Sequence, residues 1–456
     1  MGVVGSLPEE IDVVVIGGGP AGYPAAIRAA ELGKSVAIVE ADKLGGACLN
    51  YTCIPTSVMT NIADKFYEAG KLDAFGISSS PTIDFKKAHE FRMNVSKKLS
   101  QGVETLLKAH GVEIFNGTGA FLSSNSLQVS DGTTLEFKKA IITTGTSFEF
   151  KKGLEPDGKT ILDHKQGLMI DYIPKSVTIV NDYFAAVEFS RIFAELGSKV
   201  SVILENGVMS FIDPDIVEVV KDKLVNKFGV SFYEKDKIKE VNGTSITLES
   251  GKKVESDVII VSPKRVPSTD SLDISNTKIQ LDENGAIKVD SHLQTTDPNI
   301  YAAGDVVGAP MSATKALRQG VIAGESASGM NSEFDNIVVP EAVLTDPKIG
   351  IVGTLSGEGI KTIKFPFTAS GRGISDDKTE GFVKIAYDEN NVVKGVGIVS
   401  DNADEMISEA ALAIEMSATL EDIADTIHPH PTLSEAIEEA AAGALGRAID
   451  FLPPKQ

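Results

Sequence analysis

Two cysteines, Cys48 and Cys53, stand in the segment GGACLNYTCIPTS, and they are the only two in the chain of 456 residues. A chain able to bury a large core gains little stability from closing so small a loop, so a reactive role is the first to weigh. The thiolate is the reactive form, and a helix beginning near Pro55 would lower the pKa of a cysteine at its N-terminus. Pro55 should also bias Ile54 away from helical angles and mark a helix boundary. On a regular helix, residues five apart hold their Cα atoms beyond the ~7 Å limit for a disulfide, so pairing requires an irregular turn. A structural disulfide and half of a zinc site are the other readings. The second lacks two further ligands nearby, and no metal is expected.

Acid–base chemistry is offered by HPHPTLSE, residues 428 to 435. Pro429 and Pro431 should hold His428 and His430 extended, and Thr432 or Ser434 can cap a following helix. Glu435 could orient an imidazole and favour its charged form, as a general base requires. A histidine in such a loop also serves structure alone.

The elements that must position these groups begin with a short apolar run, Asp12 to Ile16, the loop GGGPAG, a helical AAIRAAELGK and a second apolar run ending in Glu40. This is a β-α-β pattern, and Gly17, Gly19 and Gly22 form G-x-G-x-x-G between its first strand and its helix. The glycines allow a tight turn, backbone approach to a pyrophosphate and close helix-to-strand packing, and Glu40 would accept from ribose hydroxyls. A plain Gly-rich turn is the alternative.

The same frame returns between Ser176 and Glu205, but its three glycine positions hold Asn181, Tyr183 and Ala186. Asn181 tolerates a left-handed turn and Ala186 costs little. Tyr183 puts a ring where backbone should meet pyrophosphate, and Asp182 adds like charge. A frame kept only as scaffold is the alternative.

Between the frames, Ile83 to His110 reads as an amphipathic packing helix whose face is Phe85, Phe91, Val95, Leu99, Val103 and Leu106. A strand, a Gly304-Asp305 turn and a helix follow around Asn299 to Ser326. From Asn336 onward, strands alternate with Ala- and Glu-rich helices. The reading is α/β: two Rossmann-like nucleotide-binding domains followed by a third, C-terminal α+β domain.

The formal net charge of −21 argues against nucleic-acid or anionic-membrane partners, because phosphate would be repelled over most of the surface. No apolar run reaches the ~18 residues of a spanning helix, and Met1 to Glu10 lacks a secretory pattern, so a cytoplasmic location is expected.

Glycine loop, cysteine pair, Gly304-Asp305 turn and HPHPTLSE, in this order and spacing, resemble the class I pyridine nucleotide-disulfide oxidoreductases, and among them the dihydrolipoamide dehydrogenases. The match runs over nearly the whole chain. The resemblance implies that the two nucleotide domains are FAD-type, split over 1–147 and 271–335, and NAD-type, 148–270, and that 336–456 is a dimerisation domain. It also implies FAD, with contacts from Gly45, Gly46, Ala47, Ser57, Gly119, the Thr144-Gly145-Thr146 turn, Asp305, and Met311, Ser312, Ala313 and Thr314. It implies that Cys48 is the thiol facing a dithiol substrate such as dihydrolipoamide, that Cys53 is the thiol against the flavin, and that His430 with Glu435 serves the other subunit of a homodimer.

Two departures stand out from that family pattern. The lysine usual two residues after the motif's proline is Ser57, which leaves Glu188 without its customary partner, and the glycine before Arg265-Val266-Pro267 is Lys264. With Asn181, Asp182 and Tyr183, they fall on the half-reaction with nicotinamide. The expectation is a flavin dithiol-disulfide oxidoreductase with weak or absent NAD use and another, unidentified electron acceptor. A conventional NAD-linked dihydrolipoyl dehydrogenase and a redox-silent assembly subunit are the alternatives.

Overall fold

The computed structural model describes residues 9–181 and 183–453, so Asp182 and the first eight residues lie outside the described part. It separates into two compact units. The first comprises residues 1–58, 86–151 and 263–335, and the second residues 59–85, 152–262 and 336–456.

The first unit is built on β1 (Glu9–Ile16), α1 (Gly22–Glu31), β2 (Val36–Glu40), α2 (Gly46–Asn50), the start of α3 (Cys53–Ala69) and most of α4 (Phe85–Ala109). They are followed by β3 (Glu113–Asn116), β4 (Gly119–Ser123), β5 (Ser126–Val129), β6 (Thr134–Ile142) and β7 (Thr146–Glu149). Its sheet runs in the order β3-β2-β1-β6-β5-β4, and a later strand, Ile300–Ala302, pairs parallel with β6. Val13, Val14 and Val15 of β1 are buried, as expected of a central strand covered on both faces. Helix α1 packs on the helix Ala313–Ala327 through small residues. A Cβ on Gly320 would lie 2.2 Å from the Ala21 carbonyl oxygen, and one on Gly324 2.6 Å from that of Ala25. That close approach fixes where the α1 N-terminus points.

In the second unit, β8 (Ile161–Asp163), α5 (His164–Leu168), β9 (Ser176–Val180), α6 (Phe184–Glu195), β10 (Lys199–Leu204), α7 (Pro214–Asn226) and β11 (Ser231–Glu234) rebuild the nucleotide-domain pattern. The strands lie parallel in the order β11-β10-β9, then Val258–Val261, then β8. The C-terminal part is an antiparallel five-stranded sheet, among them Phe382–Tyr387 and Val393–Ser400, packed against the helices Ala403–Glu415 and Glu435–Ala444. Buried charges join α6 to this part. The Arg191 guanidinium, 4% exposed, binds Glu195 at 3.0 Å, Asp64 of α3, and the carbonyls of Leu344 and Thr345. Lys223 of α7 pairs with Asp346 at 2.8 Å and with Glu380. Removing one partner from such a buried set costs on the order of 3–5 kcal/mol, because the remaining charge is left desolvated.

The structure corrects two local readings. The buried residues of α4 are Phe85, Ala88, Arg92, Ser96, Val103 and Leu107, so Phe85 and Val103 of the expected face turn inward while Phe91, Leu99 and Leu106 are exposed. Two of the six inward positions are polar, and there hydrophobic spacing misplaced the stripe. Pro55 lies inside the first turn of α3, where its missing N–H is tolerated, and Ile54 is helical. No helix among the described residues is long and apolar enough to cross a membrane.

Candidate active site

The glycine loop closes on the end of β6. Gly17 has φ +102°, and a Cβ there would sit 2.5 Å from the Thr143 carbonyl oxygen; the Thr143 hydroxyl in turn donates to the Gly17 carbonyl at 2.7 Å. A Cβ on Gly22 would meet the Gly17 carbonyl oxygen at 1.8 Å. Gly19 differs, since its Cβ would meet nothing nearer than the Gly46 Cα at 3.8 Å. Backbone at Gly19 is therefore open to a ligand, and Ala21, the N-cap of α1, offers no side-chain bond to the helix's first N–H groups. Glu40 accepts from the Gly18 N–H at 2.5 Å and from the Asp42 N–H at 2.7 Å. The Gly45 N–H donates to the Gly18 carbonyl at 2.8 Å, bringing Gly45, Gly46 and Ala47 onto the same loop.

The turn Thr144-Gly145-Thr146 links β6 to β7, and the Thr144 hydroxyl donates to the Ser268 carbonyl at 2.7 Å. Gly119 begins β4, where a Cβ would press on Leu127 at 3.0 Å and Ile16 at 3.4 Å, a packing reason for glycine. Asp305 pairs with Arg265 at 3.0 Å, and the same guanidinium donates to the Met311 carbonyl at 2.8 Å. Burial raises the Asp305 carboxyl pKa, opposed by Arg265 and Lys315. Met311 and Ser312 precede the helix Ala313–Ala327, whose N-cap Ser312 hydroxyl accepts from the Lys315 N–H at 3.3 Å, and Ala313 and Thr314 open its first turn.

The two cysteines stand as thiols. Cys48 is partly buried in α2, and Cys53 is exposed at the first residue of α3. The break at Tyr51 and Thr52 between two helices is the irregular turn that pairing requires, and it brings Cys48 into hydrogen bonding with Cys53. That bond, then burial, then the charges of Cys53 and Asp305, push the Cys48 thiol up. Ser57 is exposed on the second turn of α3.

In the second unit, the His430 Nδ1 and Glu435 Oε1 lie 2.8 Å apart, with the imidazole 79% exposed. Burial works against the Glu435 charge, but the Thr432 N–H at 2.7 Å and His430 outweigh it and hold the carboxyl below its usual range. Ser434 is the N-cap of the last helix without a side-chain capping bond. The expected cap is thus replaced by Glu435 turning back to Thr432. His428 is a different residue physically: its side chain, 5% exposed, meets Glu409 at 2.8 Å and Glu438 at 3.2 Å. The Glu409 bond is the main cause that pushes its pKa up to about 9.

The second frame keeps its elements and fills its loop. The Asn181 amide donates to the Ser262 carbonyl, and its oxygen accepts from the Tyr183 N–H at 2.5 Å. Tyr183 is the N-cap of α6, and its ring stacks on Phe211 with centroids 4.7 Å apart. Ala186 is buried.

A family model described as pyridine nucleotide-disulphide oxidoreductase matches residues 11–320, and that family's dimerisation domain matches residues 339–441. The chain belongs to this family. The dihydrolipoyl dehydrogenase 2 of Haloarcula marismortui is 36% identical over 473 residues, covering 98% of this chain and 99% of its own. The dihydrolipoyl dehydrogenase of Geobacillus stearothermophilus is 37% identical over 469 residues, covering 99% of each chain. Among solved structures, LpdA from Mycobacterium tuberculosis superposes with a TM-score of 0.88 at 27% identity, over 94% of this chain and 99% of its own.

The oxidoreductase is thus an FAD-dependent flavoprotein acting between dithiols and disulfides, and its dimerisation domain supports a homodimer. The residues of the first unit fit the cofactor: Gly17 and Gly22 exclude any side chain, Gly19 leaves backbone open, and α1 presents an uncapped N-terminus. Sequence spacing did not disclose the bridge from Arg265 to Asp305 and Met311, because its partners lie far apart in the chain. Neither the segment around Arg265 nor the Gly304-Asp305 turn carries a periodic signal that would join them.

Proposed function

We propose that the oxidoreductase oxidises dihydrolipoyl-type dithiols through a Cys48–Cys53 disulfide, and that it uses NAD weakly or not at all. In this reading residues 1–147 and 271–335 hold FAD, 148–270 form a nucleotide domain kept largely as scaffold, 336–456 make the dimer, and the protein works in the cytoplasm. When bound, FAD supplies the two-electron acceptor. Gly19, Glu40, the Gly45–Ala47 segment and the first turn of the helix Ala313–Ala327 would hold it.

His430, oriented by Glu435, takes the proton of one substrate thiol. The resulting thiolate attacks the Cys48 sulfur, the Cys48–Cys53 bond breaks, and Cys53 leaves as a thiolate. The second substrate thiol then attacks the mixed disulfide, its proton passing to the departing Cys48 sulfur; the oxidised substrate is released, and the cysteine pair has gained two electrons. In the homodimer, His430 of one subunit would serve the dithiol of the other.

The observation that carries the reading on NAD is the loop of the second frame. Where the first frame has open backbone at Gly19, Tyr183 puts a ring at the α6 N-cap, stacked on Phe211 and with its own N–H held by Asn181, although the first-turn N–H groups of α6 carry no side-chain cap. Electrons would leave through another carrier, not identified by these residues. The second reading, a conventional NAD-linked dihydrolipoyl dehydrogenase, is favoured by the names of the relatives that are 36% and 37% identical over nearly the whole chain. Anaerobic titration with dihydrolipoamide should raise a long-wavelength thiolate-flavin absorption band, and reoxidation by NAD should then be slow; absence of that band would refute the dithiol assignment.

A further inference from the structure

Tyr51 stands in the middle of the cysteine turn, between α2 and α3. Its backbone N–H closes α2 by donating to the Ala47 carbonyl at 2.7 Å, and the next N–H, of Thr52, donates to the same oxygen at 2.9 Å. Its side chain leaves the turn altogether. The phenol donates to Asp42 Oδ2 at 2.5 Å, and the Lys43 ammonium lies 5.3 Å from the ring centroid. Asp42 is itself held, because its N–H donates to Glu40 Oε1 at 2.7 Å while Glu40 Oε2 accepts from Gly18 at 2.5 Å. A continuous chain of bonds thus runs from the glycine loop through Glu40 and Asp42 to the residue midway between the two thiols.

We propose that Tyr51 is a positioning residue whose bond to Asp42 anchors the Cys48–Cys53 turn to the Glu40 segment and so favours joining of the two sulfurs. This rests on the redox-pair reading above. The physical reason is geometric. A disulfide accepts only a narrow range of Cα separations and torsions, whereas two thiols tolerate a loose turn. Freeing the turn therefore gains conformational entropy for the dithiol that the disulfide cannot share, and the equilibrium moves toward the reduced form. Burial first and the Asp42 bond second push the Tyr51 phenol up, so it remains a donor over the working range of pH. One hydrogen bond to a charged acceptor is an interaction of moderate size, and only part of it bears on the sulfur geometry.

The test uses the full flavin-loaded protein, as wild type, Tyr51→Phe, Asp42→Asn and the double variant. Each is equilibrated anaerobically in glutathione buffers, where two glutathiones become one glutathione disulfide as the Cys48–Cys53 bond takes up two electrons and two protons. Thiols are then alkylated and counted by mass; with only two cysteines in the chain, the count reports this pair alone. Tyr51→Phe and Asp42→Asn should each shift the equilibrium about three- to tenfold toward dithiol, or ~15–30 mV upward. The double variant should shift no further than either single one, with flavin content unchanged throughout. Single variants that titrate with wild type, or shifts that add in the double variant, would overturn the proposal. A wild-type protein that forms no Cys48–Cys53 disulfide in any buffer would instead refute the redox-pair reading beneath it.

Discussion

The two nucleotide frames share strand, helix and strand, and differ in what occupies the loop between them. In the first, Gly17 and Gly22 pack without room for a side chain, and Gly19 leaves bare backbone beside an uncapped helix N-terminus. In the second, Asn181 satisfies the Tyr183 N–H and Tyr183 stacks on Phe211. The scaffold of a nucleotide domain therefore survives loss of its glycines, because its parallel strands and buried helix face do not depend on them. What the glycines supply is close backbone approach; on the proposed reading the Tyr183 ring takes that place in the second loop, although α6, like α1, lacks a side-chain cap.

Breaking the first loop should have the largest effect. Gly22→Ala places a methyl group 1.8 Å from the Gly17 carbonyl, so the flavin-to-chain ratio should fall below about a tenth of wild type, with stability lowered by about 3 kcal/mol. Ala186→Gly, at the matching place in the second frame, should leave flavin content unchanged and cost only about 1 kcal/mol as a helical glycine. Absorbance at the flavin band and urea unfolding check both. On the thiol side, Glu435→Gln should lower dithiol oxidation about 100-fold, because His430 loses its orienting carboxylate while Cys48 and Cys53 are untouched. Steady-state rates with dihydrolipoamide and a dye acceptor measure this. Reopening the second loop with Asn181→Gly and Tyr183→Gly together should raise the rate of reoxidation by NAD about tenfold, and an unchanged rate would mean that other residues block it.

The smallest effect concerns Glu188 of α6. Desolvation, against one bond from the Leu344 N–H at 3.2 Å, pushes its carboxyl up to about 7 from an ordinary 4.5. A raised acid favours the folded state most when it is protonated in both states. Its contribution therefore declines as pH rises from about 4.5 through about 7. Glu188→Gln, which imitates the neutral acid, should gain about 1–2 kcal/mol relative to wild type between pH 5 and pH 8, read by urea unfolding.

Both frames were legible in the sequence because short β-branched runs give way to helical spacing at a glycine loop, a local signal. The cysteine turn was legible in the same way, since five-residue spacing forbids pairing on a regular helix. The α4 face was legible only in part: Phe85 and Val103 do turn inward, but the stripe also includes Arg92 and Ser96, which hydrophobic spacing cannot register. Nor could spacing reveal that Arg191 holds Asp64 and the Thr345 carbonyl, or that Tyr51 reaches back to Asp42. Those contacts depend on tertiary folding or on a side chain leaving its own turn. Spacing in HPHPTLSE alone did not separate His430 from His428, which only the resemblance set apart; burial does so physically, with an exposed imidazole on Glu435 and one enclosed between Glu409 and Glu438.

The most direct test of the account is stopped-flow reoxidation by NAD of the protein previously reduced with dihydrolipoamide, run beside the Geobacillus stearothermophilus relative. The account predicts full reduction by the dithiol, followed by reoxidation at least about 100-fold slower than in the relative and without saturation in NAD. Rapid, saturable reoxidation at the relative's rate would contradict it.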